Sequence, residues 1–306
     1  MENVVLPFLA SYEEDTMIEG YDGESIHACF YALPASCAVV CISHGFTEYT
    51  SRYQESIYYL MRAGYSVAIC DHRGHGLSHR MVDNLSKVHI DSYDAYIQDY
   101  ACFVEEVKRR FPNQKRFLLS HSMGGCIASY YLETFPEDFA ACVLNAPMLD
   151  IVTDLPRPLC RLYGLVCVRM GKGENYLGSQ DQDYDGSESF ETSCSTSYER
   201  WAYFKKTRDE NPAYQTCAAS IEWMTASLSI VPKVIKRAKK IRIPLLLCQA
   251  GCDSMVGPKG QIAFVKRCQK ARLFRLPDAK HETLLCDYPT RLAFWNRTLA
   301  FLEKNK

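Results

Sequence analysis

The sequence lacks any apolar run long enough to cross a bilayer. A helical span needs roughly 18 consecutive apolar residues, and no stretch of these 306 residues reaches that length. The start, Met-Glu-Asn-Val-Val-Leu-Pro-Phe-Leu-Ala-Ser, lacks the positive segment of a secretory signal, and its short apolar stretch is interrupted by Pro7. A soluble, cytoplasmic protein is expected, with contact at the inner face of a membrane left open. Net charge is nearly absent too. Thirty-five Lys+Arg stand against 36 Asp+Glu, a formal charge of -1, which gives no electrostatic reason to expect a nucleic-acid partner. The 15 cysteines include no C-x-x-C pair and no zinc-ligand spacing. Cys41, Cys70, Cys142 and Cys248 sit inside apolar runs, where a free thiol behaves as a small hydrophobe. Reduced thiols are therefore expected, with no metal and no cofactor.

What is present suits a sizeable globular core: 47% of residues are hydrophobic and 23% charged. Residues 15–31 alternate loosely around Tyr21-Asp22-Gly23 and predict an N-terminal hairpin. Strands and helices then alternate: strand 38–43, helix 53–63 ended by Gly64, strand 66–71, helix 92–111, strand 116–120, helix 123–135 and strand 139–145. After a gap the pattern resumes with strand 243–249, helix 258–269, strand 271–277 and helix 288–304. This order predicts an α/β fold, a mostly parallel central sheet flanked by helices. The gap, 147–242, carries helical, polar and loop-like sequence. It reads as a mainly helical cap inserted into a core made of 1–146 and 243–306. Such an insertion lies over the carboxyl ends of the strands, where ligands bind in such sheets.

The chemistry concentrates at Ser120-His121-Ser122-Met123-Gly124-Gly125. A strand runs straight into a helix through a serine flanked two residues away by small residues, the arrangement of a nucleophile elbow. A hydroxyl needs a base to attack, and in this arrangement the chain order is Ser, acid, His. Of the eight histidines only His281 follows Ser122, on the loop after a late strand. Asp253, after the preceding strand, is the expected acid, with Asp150 and Asp278 as competitors. The residue after the nucleophile, Met123, offers a backbone N–H at a helix N-terminus. The loop after the first core strand, Ser43-His44-Gly45-Phe46-Thr47-Glu48, offers that of Phe46. These two are the expected oxyanion donors.

His44-Gly45-Phe46-Thr47-Glu48, then Arg52-Tyr53, then Asp71-His72-Arg73-Gly74-His75-Gly76-Leu77-Ser78, then His121-Ser122-Met123-Gly124-Gly125 follow in order. Together they resemble the lysophospholipase and monoacylglycerol lipase branch of the α/β-hydrolases, a branch grouped with serine aminopeptidase-like hydrolases. Ala146-Pro147-Met148, Thr196-Ser197 and Arg200-Trp201 look closer to the bacterial lysophospholipases. The resemblance covers nearly the whole chain and is weakest from Gly171 to Ser195. It implies hydrolysis of a carboxylic ester bearing one acyl chain, through an acyl-enzyme on Ser122. Hydrolysis of small soluble esters or peptides is the alternative within enzymes, and a non-catalytic binding protein on this fold the alternative outside them.

Several further patterns have two readings. Leu155, Leu159, Leu162, Leu165, Val166 and Met170 have nearly helical spacing and either line an acyl pocket or form the core of the cap. Asp181-Gln182-Asp183-Tyr184-Asp185-Gly186 begins like a calcium loop, but the twelfth position is Thr192 where a bidentate Glu is needed, so a solvated loop is expected. Lys233 to Arg242 holds six basic residues and no acid. It either lies on an anionic membrane surface or is a solvated helix with its apolar positions packed inward. His72 and His75 lie in a Gly-containing turn with no carboxylate at ligand spacing, and the resemblance explains them as a structural loop.

Overall fold

Period-two alternation along the strands divides the apolar residues between two cores, one on each face of a single sheet. The computed structural model describes residues 1–177 and 183–306. The chain opens with a short helix α1 (Val5–Leu9) and the hairpin β1 (Glu13–Glu19) and β2 (Ser25–Tyr31). It continues through β3 (Ala38–Ser43), α2 (Gln54–Arg62), β4 (Ser66–Cys70), a two-residue β5 (Lys87–Val88), α3 (Asp94–Arg110), β6 (Lys115–His121), α4 (Ser122–Thr134) and β7 (Ala141–Asn145). The inserted stretch holds α5 (Arg157–Arg169), α6 (Tyr198–Glu210), β8 (Ala218–Ala219) and α7 (Ile221–Arg237). It is followed by β9 (Leu245–Ala250), α8 (Pro258–Arg267), β10 (Ala271–Leu276) and α9 (Tyr288–Asn305).

The main sheet has eight strands in the order β1-β2-β4-β3-β6-β7-β9-β10. The pairings of β2 with β1 and β4 are antiparallel, and the others are parallel. Along β3, Val39 and Cys41 join the core under α3, α4, α7 and α8, while Ala38, Val40 and Ile42 join the core under α1, α2 and α9. Because β3 is followed by β4 on one side and β6 on the other, the strand order reverses there. A crevice opens outside the carboxyl ends of β3 and β6.

The helices end where their sequences say they should. Gly64, just past α2, takes φ +91°, a left-handed conformation that glycine adopts without a Cβ clash. Ser220 caps α7 by accepting from the Trp223 N–H, and Asp287 caps α9 by accepting from Thr290. Cys41, Cys70, Cys142 and Cys248 are buried in the sheet.

The insertion enters between β7 and β9, which pair directly, so it leaves the sheet unbroken. Its last helix, α7, is packed into the main core: Ile230, Val231 and Val234 belong to the cluster that includes Ile127 of α4 and Phe264 of α8. Of the basic run 233–242, the lysines and arginines are exposed, while Val234, Ala238 and Ile241 are buried. Of the two readings, the structure has the solvated helix packed inward. The insertion is tied down elsewhere too. β5 pairs with β8, and the Arg200 guanidinium meets Glu55 of α2 at 2.7 and 2.9 Å.

On the last turns of α4, Glu133 is 7% exposed, and neither of its carboxylate oxygens has a hydrogen-bond partner among the described residues. Burial pushes its carboxyl up from the ordinary 4.5 to about 8, against the weaker pull of Arg237 and Lys240. The folded state therefore holds this proton more tightly than the unfolded chain. The stability that follows is present below about pH 4.5 and lost as pH rises toward 8. Glu133→Gln should accordingly be more stable than the parent at pH 8, by about 1–3 kcal/mol. The gain should disappear near pH 4.5 when denaturant midpoints are compared.

Candidate active site

Ser122 is the first residue of α4, directly after β6, and its φ is +49°. A non-glycine residue in this region is strained, and the turn that imposes the strain lifts the side chain above the sheet end. Only a glycine fits at 124: a Cβ there would lie 2.1 Å from the Ser43 carbonyl oxygen. A Cβ on Gly125 would meet Pro147 at 2.5 Å. Ser120 occupies a position that favours glycine, yet it fits: it is 1% exposed and its hydroxyl donates to the Val143 carbonyl at 3.4 Å.

The three residues expected to work together are adjacent. His281 Nε2 stands 2.8 Å from Ser122 Oγ, and its Nδ1 stands 2.8 Å from Asp253 Oδ2. The other oxygen of Asp253 accepts the N–H groups of Met255 and Val256 at 2.8 and 2.9 Å. Burial alone would raise the Asp253 carboxyl, but the hydrogen bond and charge of His281, with those two N–H groups, hold it below its ordinary value. The arrangement can take a proton from Ser122 through His281 while Asp253 fixes the imidazole tautomer. The competing acids lie elsewhere. Asp150 faces Arg157 and the N–H of Gly260, and Asp278 is exposed on its loop.

Met123 is the second residue of α4, so its N–H is among those that helical geometry leaves without an intrahelical acceptor. Phe46 lines the same cavity as Ser122, its ring 4.3 Å from that of Trp223. The loop carrying Phe46 is held by Glu48, which accepts the Gly45 N–H and the Tyr53 hydroxyl. Glu48 also reaches His121 Nδ1 at 3.1 Å, while His121 Nε2 faces the backbone carbonyl of His281 at 3.1 Å. With an acceptor on each side both ring nitrogens must donate, which only the imidazolium can do. Burial works against that charge, and the carboxylate of Glu48 outweighs it, so His121 is held above the ordinary histidine range. The roles of Glu48 and His121 were not legible from the sequence beyond their place in the recurring motifs. Partners 73 and 160 residues apart in the chain leave no local signal.

The Asp71–Ser78 loop is structural. Asp71 accepts the N–H groups of Thr50 and Leu77 at 2.6 and 3.0 Å, and Arg73 grips Asp99 at 2.8 and 3.0 Å. Burial lowers the basicity of His44, His72 and His75, so these rings act as neutral hydrogen-bonding groups. Of the calcium-like loop, Asp181 and Gln182 lie outside the described residues. Asp183 and Asp185 accept hydrogen bonds from Asn84 and Ser187.

Ser122 and His281 open into a cavity of about 480 Å³ under the insertion. Its lining mixes apolar residues, among them Phe46, Met148, Phe204, Trp223 and Met224, with the charged pairs Arg52–Glu282 and Arg208–Glu188. Leu155, Leu159, Leu162 and Val166 correct the sequence reading: they neither line this cavity nor form a cap core, and are 49 to 62% exposed. The reason is the small-residue seam of α5. Gly164 and Cys167 are its buried residues. A Cβ on Gly164 would stand 1.9 Å from Thr225 Oγ1 of α7. The helices close on that seam, and the leucines turn outward.

An eight-stranded, mostly parallel sheet with a serine on the elbow after β6 defines an α/β-hydrolase. The family model described as serine aminopeptidase, S33, matches residues 34–286, and the chain belongs to that family. It is 29% identical to the probable lysophospholipase L2 of Haemophilus influenzae over 249 residues, 80% of this chain and 77% of that one. It is 25% identical to the monoglyceride lipase of Homo sapiens over 257 residues, 81% and 76% of the two chains. The fold matches that of a thermostable carboxyl esterase from Bacillus coagulans with a TM-score of 0.78, at 18% identity over 96% of this chain and 98% of the other.

Asp253→Asn should lower kcat by roughly 10⁴-fold with little change in KM on a chromogenic ester, whereas Asp150→Asn should leave kcat near that of the parent.

Proposed function

We propose that this hydrolase cleaves carboxylic esters of single-acyl-chain lipids, a lysophospholipid or a monoacylglycerol. Ser122 attacks the ester carbonyl, His281 takes its proton and passes it to the leaving alcohol, and Asp253 steadies the imidazolium. The oxyanion is held by the N–H groups of Phe46 and Met123. Water, activated by the same histidine, then releases the fatty acid from the acyl-enzyme.

The observation that carries this reading is the cavity over Ser122, whose mostly apolar lining suits an acyl chain and whose charged residues Arg52, Glu282, Glu188 and Arg208 suit a polar head. The names of the two relatives agree with it. So does α5, whose exposed Leu159, Leu162, Leu165 and Val166, flanked by the exposed Leu155 and Met170 just outside the helix, share the helix with Arg157, Arg161 and Arg169 and with no acidic residue. An apolar face flanked by cations suits contact with an anionic lipid–water surface. On this reading the insertion at 147–242 is the cap through which lipid reaches the cavity, its last helix α7 packed into the main core.

The test is hydrolysis of lysophospholipids, monoacylglycerols and a chain-length series of p-nitrophenyl esters, with Ser122→Ala as the blank. Long-chain lipid esters should be preferred, and Ser122→Ala should lose on the order of 10⁶-fold in kcat together with fluorophosphonate labelling. A strict short-chain optimum would defeat the lipid reading and favour small soluble esters, and residual labelling of Ser122→Ala would defeat the assignment of the nucleophile.

A further inference from the structure

We propose that Asp15, His27 and Cys29, on the N-terminal hairpin and apart from the Ser122 cavity, form a binding site for a zinc-type divalent metal ion. The hairpin register places Asp15 directly opposite Cys29, and His27 two residues along β2 on the same face. The donor atoms already stand at ligand spacing. His27 Nε2 is 3.1 Å from Asp15 Oδ1, and Cys29 Sγ is 3.8 Å from both Asp15 Oδ2 and His27 Nε2. Tetrahedral coordination at ordinary zinc–ligand lengths requires N···O, S···O and N···S edges of about 3.4–3.6 Å, so adjustments of a few tenths of an ångström suffice.

Two features point to a metal in place of a chance surface cluster. First, His27 Nδ1 is held by the buried Asp71 carboxylate at 2.8 Å, and that partner turns Nε2 outward to Asp15 and Cys29. A ligating histidine needs this second partner to fix its tautomer and orientation. Second, the donor set combines imidazole, thiolate and carboxylate, which suits zinc and excludes magnesium or calcium, both of which prefer all-oxygen sites. His27 and Cys29 are buried, while the Asp15 side chain is 61% exposed. The ion enters from the Asp15 side, where water completes the tetrahedron. Without metal, Nε2 carries a proton shared with Asp15. On binding, that proton and the thiol proton leave to solvent, and bonds from Nε2, Sγ and one Asp15 oxygen to the ion replace them.

The probe is Co²⁺ titrated into the reduced 306-residue protein, read by absorption. One equivalent should give a thiolate-to-cobalt charge-transfer band with the visible bands of a tetrahedral ion, and Zn²⁺ should displace both. Cys29→Ser should abolish the charge-transfer band. Asp15→Asn, at an exposed position that the fold does not need, should weaken binding at least about tenfold, a loss that even outer-shell partners produce. Absence of the band in the parent protein would overturn the site. So would a band that survives Cys29→Ser, which would assign the metal to another cysteine, or an affinity unchanged in Asp15→Asn.

Discussion

The close approach between the start of α4 and the loop after β3 is the constraint on which the rest depends. Gly124 lies so near the Ser43 carbonyl that no side chain fits, and Ser122 must hold a positive φ to let the chain turn from strand to helix. That contact sets the Ser122 hydroxyl and the Met123 N–H beside the loop that carries Phe46. It occurs where the connections from β3 and β6 run to opposite sides of the sheet, so the crevice and the strained turn coincide. The elbow's strain is held by surrounding residues, Met123, Ala146 and Leu119, that are buried in the two cores.

Around this contact the polar groups are arranged so that each fixes another. Glu48 holds the Phe46 loop through the Gly45 N–H and holds His121 as imidazolium. His121, next to Ser122, holds the backbone carbonyl of His281. His281 is thus held at its ring by Asp253 and at its backbone by His121. The insertion touches the same loop: Lys280 donates to the Ser193 carbonyl at 3.0 Å, and Ser195 to that of Leu285 at 2.6 Å. These hydrogen bonds tie the 193–197 segment to the loop that carries His281.

The insertion reverses the usual expectation for an amphipathic helix. On α5 the apolar stripe faces outward and the glycine seam faces inward, because helix-to-helix distance is set by the smallest residues at the contact. The result is an exposed apolar face on a helix that also carries Arg157, Arg161 and Arg169. Such a face is costly in water. At the far edge of the sheet, the Asp15–His27–Cys29 cluster shows the same economy. Asp71, which organises the loop after β4, also orients His27, so one buried carboxylate serves both.

Local pattern by itself determined a good deal of this protein. Apolar alternation and turn residues placed the strands and helices of the core to within a few residues, since burial on both faces of a parallel sheet leaves little freedom in which residues are apolar. Small residues around Ser122, with one histidine and one well-placed aspartate downstream, pointed to the three residues that meet. Only tertiary structure decided what depends on distance across the chain. It decided that Asp253 and not Asp150 faces His281, because Asp150 is taken by α8. It decided that α5 turns its leucines outward, because Gly164 permits closer packing than a leucine does. And it brought Glu48, His121, His27 and Asp71 together, because hydrogen bonds between residues far apart in sequence leave no periodic trace in it.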